Sequence, residues 1–178
     1  LIVFCASSHM REELGRHGVR DDRVRLNPYP VLAPPSASGQ TADPPGEGQP
    51  WRVLFAARME AEKGAEVLLD AADLASRQTQ GGIELTLGGD GRERPALETK
   101  ARHLAAANPK LTVHFAGWLD RDAMATAMGR NHLLAFPSLW PEPFGIVGVE
   151  AGHHGLPAVA FDAGGVPDWL TEGVNGTL

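Results

Sequence analysis

Trp51-Arg52-Val53-Leu54-Phe55-Ala56-Ala57-Arg58-Met59-Glu60-Ala61-Glu62-Lys63-Gly64-Ala65-Glu66-Val67-Leu68-Leu69-Asp70-Ala71-Ala72-Asp73-Leu74-Ala75 is the stretch whose reading decides the fold. Val53–Ala56 is a short apolar run suited to a buried strand, and from Ala65 to Ala75 the apolar residues recur at helical spacing. The same unit returns downstream. Strands are predicted at Ile83–Leu87, Thr112–Phe115, Leu133–Phe136 and Ala158–Phe161, with helices at Arg94–Ala107, Asp120–Met128 and from about Ile146. Alternation of this kind builds a parallel sheet covered by helices on both faces, a Rossmann-like α/β fold. In such sheets ligands bind beyond the C-terminal ends of the strands, where the loops carrying Arg58, Lys63, Arg92 and Arg94 fall.

Upstream, Leu1–Ala6 suits a buried strand, and Ser7 or Ser8 suits an N-cap for a helix that stops at Gly18. Val24–Leu26 begins a further strand. Residues 33–50, rich in Pro, Gly and Ser without apolar periodicity, read as a linker. The expected organisation is therefore residues 1–32 as the end of an N-terminal domain, 33–50 as the linker, and 51–178 as a ligand-binding domain. The opening inside an apolar run without an initiator Met or a charged n-region argues against a signal peptide. It implies a fragment truncated at both ends.

The best clue to chemistry is Pro137-Ser138-Leu139-Trp140-Pro141-Glu142-Pro143-Phe144-Gly145-Ile146-Val147-Gly148-Val149-Glu150-Ala151, with two carboxylates eight residues apart around a Pro-Phe-Gly turn. Gly145 permits the tight turn and a close approach of ligand to backbone. The helix from Ile146 presents unpaired amides and the positive end of its dipole to an anion. Glu150, one turn in, leans back toward the same cleft, with Glu142 at its mouth. The pair could accept hydrogen bonds from several hydroxyls, as a sugar and a ribose present them.

These residues resemble the glutamate-x7-glutamate signature of family 4 (group 1) retaining glycosyltransferases, whose GT-B architecture has two Rossmann-like domains. Phe55–Gly64, Gly88-Gly89-Asp90-Gly91, Phe115-Ala116-Gly117-Trp118 and Gly155–Asp168 resemble further family elements in the family's order. The resemblance implies transfer of a sugar from a nucleotide diphosphate sugar, with no cofactor and no metal. It implies catalytic roles for Glu142, Arg58 and Lys63, the two cations holding the diphosphate. Donor binding would fall to Glu150 at the ribose, to Phe144, Gly145, Ile146 and Val147 at the turn, and to Gly89 and Trp118. Gly89 could equally serve a plain turn, and Trp118 could be a packing aromatic rather than a neighbour of the base. An acceptor pocket and a histidine are expected on the N-terminal domain, which is also where any peripheral membrane contact would lie. Two alternatives remain: a nucleotide-sugar 2-epimerase of the same architecture, and a module that binds the donor without catalysis.

A formal net charge of −6 argues against a nucleic-acid binder, which needs a basic face. No apolar run approaches the roughly 20 residues of a membrane helix. The single Cys5 permits no internal disulfide, in keeping with a reducing, cytoplasmic setting. His153 and His154 lack ligand spacing and read as helix-end residues, while Asp162 and Asp168 read as loop-shaping.

Overall fold

The computed structural model describes residues 1–30 and 42–178. The N-terminal part is a strand–helix–strand unit: β1 (Val3–Cys5), α1 (Ser8–Arg16) and β2 (Val24–Leu26), the two strands pairing in parallel. Ser7 caps α1 as expected, its hydroxyl accepting from the Met10 amide at 3.2 Å. Of the expected buried strand only the end is covered. Cys5 and Ala6 are buried, whereas Leu1 and Phe4 stand 98% and 67% exposed. β1 has β2 alone as its strand partner among the described residues, and Phe4 is left mostly uncovered. The expected linker lies partly outside the described residues, and its described portion, 42–50, has no helix or strand.

The larger sheet contains β3 (Trp51–Ala56), β4 (Ile83–Gly88), β5 (Leu111–Gly117), β6 (Leu133–Phe136), β7 (Ala158–Ala160) and β8 (Gly176–Thr177), in the spatial order β5-β4-β3-β6-β7-β8 and parallel throughout. This is the doubly wound order, in which the chain starts at the centre, fills one side and then crosses to fill the other. The reversal falls between β3 and β6. The two-residue β8 was not expected from sequence, because Gly176–Thr177 carries no apolar signal.

The connecting helices are α2 (Ala65–Gln78), α3 (Arg94–Ala107), α4 (Arg121–Arg130) and α5 (Ile146–His153). Strand residues alternate between the faces, so β3 serves two cores. Val53 and Phe55 pack with Leu68, Leu69, Leu85, Leu87 and Leu97 beneath α2 and α3. Leu54 and Ala56 pack with Met128, Leu134, Ala151 and Leu156 beneath α4 and α5. Leu54 is fully buried and Phe55 nearly so, each contributing about 1.5–3 kcal/mol of apolar burial. A parallel strand buried on both faces must read as a continuous apolar run, which is why Val53–Ala56 is legible. No helix among the described residues is long and apolar enough to cross a membrane.

The N-terminal unit touches the larger one around its last loops. The Ser8 amide donates to Asp168 Oδ2 at 2.6 Å, so the Asp168 carboxylate joins the two units rather than bonding within its own loop. Tyr29 meets Phe144 edge to face, with ring centroids 6.0 Å apart.

Candidate functional site

A hollow of about 200 Å³ opens at the β3/β6 reversal. Ala56, Ala57 and Arg58 line it from the end of β3, Phe136, Pro137 and Ser138 from the end of β6, and Gly145, Ile146 and Val147 from the start of α5. Lys63 and Glu142 also line it.

Two loops must lie against one another to build this hollow, and Gly64 permits it. Its φ of 71° is left-handed, and a Cβ there would stand 1.9 Å from the Pro137 carbonyl oxygen. The Leu139 amide donates to the Glu62 carbonyl at 2.8 Å, which zips the β3–α2 loop to the segment after β6. Lys63 is thereby brought to Glu142. Its ammonium lies 2.5 Å from Glu142 Oε1, with side-chain exposures of 16% and 8%. Glu142 is therefore neither a solvated loop residue nor a free group at the mouth of the cleft. It is buried, its backbone pairs with Gly164, and its carbonyl accepts from the Gly165 amide at 2.6 Å.

Gly145, at φ 89°, makes the turn into α5. Trp169 supports it from below: the indole N–H donates to the Phe144 carbonyl at 2.6 Å, and the ring packs on Phe136. The first-turn amides of Ile146 and Val147 have no intrahelical acceptor and sit at the hollow's edge.

The second carboxylate does not share this hollow. Glu150 lines a neighbouring one of about 240 Å³ with Leu119, Asp120, Arg121, Met124 and His154. The face of α5 formed by Gly148 and Ala151 is turned into the core, which sets Glu150 toward α4. Burial pushes the Glu150 carboxyl above its ordinary pKa, against the opposing pull of His153 and Arg121. Burial likewise lowers the His154 pKa, with His153 adding to the effect. His154 caps the C-terminal end of α5, in keeping with the helix-end reading, and there forms a buried wall of the second hollow.

The remaining expected residues distribute unevenly. Arg58 is exposed, with Glu62 its nearest carboxylate at 3.9 Å, and projects at the first hollow. Arg92 and Arg94 are already engaged, Arg92 by Glu60 at 2.7 Å and Arg94 by Glu98 at 2.8 Å. The Arg92 bond holds the Glu60 carboxyl below its usual range. Phe144 is buried against Tyr29 and lines neither hollow. Gly89 also lies off the lining, and a Cβ there would meet the Ala57 carbonyl oxygen at 2.0 Å, so it seats one loop on another. Trp118 is 80% exposed, so it is not packed into the core of the described residues. Ser138 was not singled out from sequence, yet its hydroxyl reaches Glu142 Oε1 at 2.5 Å. A lone serine in a loop gives no periodic signal; its spacing of four from Glu142 was the available cue. No group of three or more His, Cys, Asp or Glu among the described residues is placed to hold a metal ion.

Sheet order, reversal point and a charged crevice there define a Rossmann-like domain of the GT-B type. Residues 41–178 match the model of the glycosyl transferases group 1 family, and the chain belongs to that family. It is 29% identical over 177 residues to a glycogen synthase of Mycobacterium tuberculosis, covering 98% of this chain and 40% of the relative. A GDP-mannose-dependent alpha-mannosyltransferase of Corynebacterium glutamicum is 32% identical over 180 residues, covering 97% of this chain and 38% of the relative. The chain thus spans well under half the length of these relatives. HepE of Anabaena, solved with UDP and glucose, superposes with a TM-score of 0.77 at 25% identity, over 99% of this chain and 48% of HepE. The lipopolysaccharide outer core galactosyltransferase WaaB superposes with a TM-score of 0.78 at 23% identity, over 99% of this chain and 48% of WaaB.

Proposed function

We propose that this chain carries the donor site of a glycosyltransferase that moves a sugar from a nucleotide diphosphate sugar to an acceptor with retention of anomeric configuration. The observation that carries the reading is the meeting of Arg58, Lys63 and Glu142 in one hollow at the strand-order reversal of a group 1 chain. Each hollow alone is smaller than the roughly 300–1,000 Å³ usual for a ligand site. Because α5 contributes to both, an elongated ligand running along its N-terminal end would fill them together.

In this pose the diphosphate lies at the Ile146 and Val147 amides, with Lys63 and Arg58 stabilising the charge that grows on it as the sugar departs. Glu142 accepts from a sugar hydroxyl. Glu150 accepts from the ribose in the second hollow, leaving the β5–α4 loop, with Trp118 at its start, beside the base. The donor is a substrate, and the two cations answer its charge, so the reading calls on no resident metal or cofactor. Retention rests on the glutamate-x7-glutamate resemblance, and acceptor and N-terminal domain belong to the longer protein. A reducing, cytoplasmic setting fits one buried, unpaired cysteine.

The test is calorimetric titration of the chain with UDP, UDP-glucose, GDP and GDP-mannose. One nucleotide series should bind, and binding should fall in Lys63→Ala. No binding by any member would sink the donor-site reading. For the longer protein, proton NMR of the first-formed product reads the anomer, and an inverted linkage would sink retention.

A further inference from the structure

Ser138 is 3% exposed and its hydroxyl is the second donor aimed at Glu142. Three acceptors surround Ser138 Oγ: Glu142 Oε1 at 2.5 Å, the Glu62 carbonyl at 3.3 Å and the Trp140 carbonyl at 3.4 Å. A hydroxyl has one proton, and a short, charge-assisted contact outcompetes two long neutral ones, so the proton goes to the carboxylate. Lys63 Nζ donates to the same oxygen at 2.5 Å. Both donors converge on Oε1, and no described residue donates to Oε2.

This asymmetry has a mechanical meaning. The terminal torsion of a glutamate is broad, and an ammonium is a point charge that fixes distance better than plane. A second donor from another direction removes the remaining rotation. The backbone of Glu142 is held by its bridge to Gly164 and Lys63 holds Oε1 in place, so rotation of the carboxylate plane is the main freedom left. Glu142 lines the first hollow, and with Oε1 saturated it is Oε2 that remains to accept from a ligand.

We propose that Ser138 is a positioning residue that acts through Glu142, saturating Oε1 so that Oε2 is presented to a hydroxyl of the donor's sugar. The inference rests on the donor-site reading above. It assigns Ser138 to recognition of the sugar rather than of the nucleotide.

The experiment is calorimetric titration of wild type, Ser138→Ala, Ser138→Thr, Glu142→Gln and the double variant Ser138→Ala/Glu142→Gln. The probes are UDP with UDP-glucose, or GDP with GDP-mannose, whichever pair the wild type binds. Ser138→Ala should lower affinity for the nucleotide sugar about tenfold or more, the lower end of the weight of one hydrogen bond to a charged group. Affinity for the free nucleoside diphosphate should stay as in wild type, which also reports that the variant is folded. Ser138→Thr keeps the hydroxyl and should recover most of the loss. Because Ser138 acts through Glu142, the double variant should bind no worse than Glu142→Gln. Parallel loss for nucleotide and nucleotide sugar, or multiplying losses in the double variant, would overturn the role. A loss in Glu142→Gln with none in Ser138→Ala removes Ser138 alone. Failure of wild type to bind either pair removes the donor site, and this inference with it.

Discussion

Gly64→Ala tests whether the first hollow depends on the contact between its two loops. The residue sits at φ 71°, and the new Cβ would stand 1.9 Å from the Pro137 carbonyl oxygen. Holding a non-glycine residue left-handed costs about 1–2 kcal/mol. Relief of the clash needs a backbone shift of about an ångström or more, which would break the 2.8 Å bond from the Leu139 amide to Glu62 at about 1 kcal/mol. The same shift draws Lys63 away from Glu142, and full separation of a buried pair costs about 3–5 kcal/mol. Taking part of that last figure, the total is about 3–6 kcal/mol. For a domain of this size it lowers Tm by roughly 6–24 °C. Differential scanning calorimetry reads the shift, with Gly152→Ala as control. Gly152 lies inside α5 with open space at its Cβ, so alanine there should stabilise by up to about 1 kcal/mol. A Gly64→Ala melting point within about 2 °C of wild type would refute the argument.

Glu150→Gln should separate stability from binding. The folded-state pKa of Glu150 lies above its unfolded value, so its contribution to stability is fully present below the ordinary glutamate pKa of about 4.3 and is lost as pH rises through the raised value. The glutamine variant should therefore be more stable than wild type at neutral pH, with the gain vanishing below about pH 4 in urea titrations. Its nucleotide affinity should fall by about 1.5–3 kcal/mol, and unchanged affinity would remove Glu150 from the ribose. Arg58→Ala should weaken binding of a nucleoside diphosphate far more than of the nucleoside, by a factor that shrinks as salt rises, since Arg58 is exposed. Equal losses for both ligands would mark it as a solvated loop charge.

The sheet was legible because strands buried on both faces leave continuous apolar runs; α3 and β6 fall on the expected residues. β8 was hidden because two small or polar residues can pair at a sheet edge without contributing to either core. For the site, Arg58, Lys63, Glu142 and the Gly145 turn were brought together as expected. Glu150 went to a second hollow because the facing of α5 is decided by which of its small residues meets the core, and Gly148, Ala151 and Gly152 look alike to a periodicity argument. The engagement of Arg92 and Arg94 was equally hidden. Their partners, Glu60 from another loop and Glu98 one turn on, are set by tertiary packing and local rotamers rather than by the glycine-rich turn that carries them.

Trp169 gives the molecule an internal optical reporter. Of the four tryptophans, Trp51, Trp118 and Trp140 are 39%, 80% and 54% exposed, while Trp169 is half-buried against Phe136 with its indole N–H bonded beneath the Pro-Phe-Gly turn. An aqueous quencher such as iodide reaches the first three and leaves the short-wavelength emission of the fourth. That residual light comes from the residue on which Gly145 and the start of α5 rest. Displacement of the turn, by ligand or by mutation, would change its wavelength or intensity without any label being added.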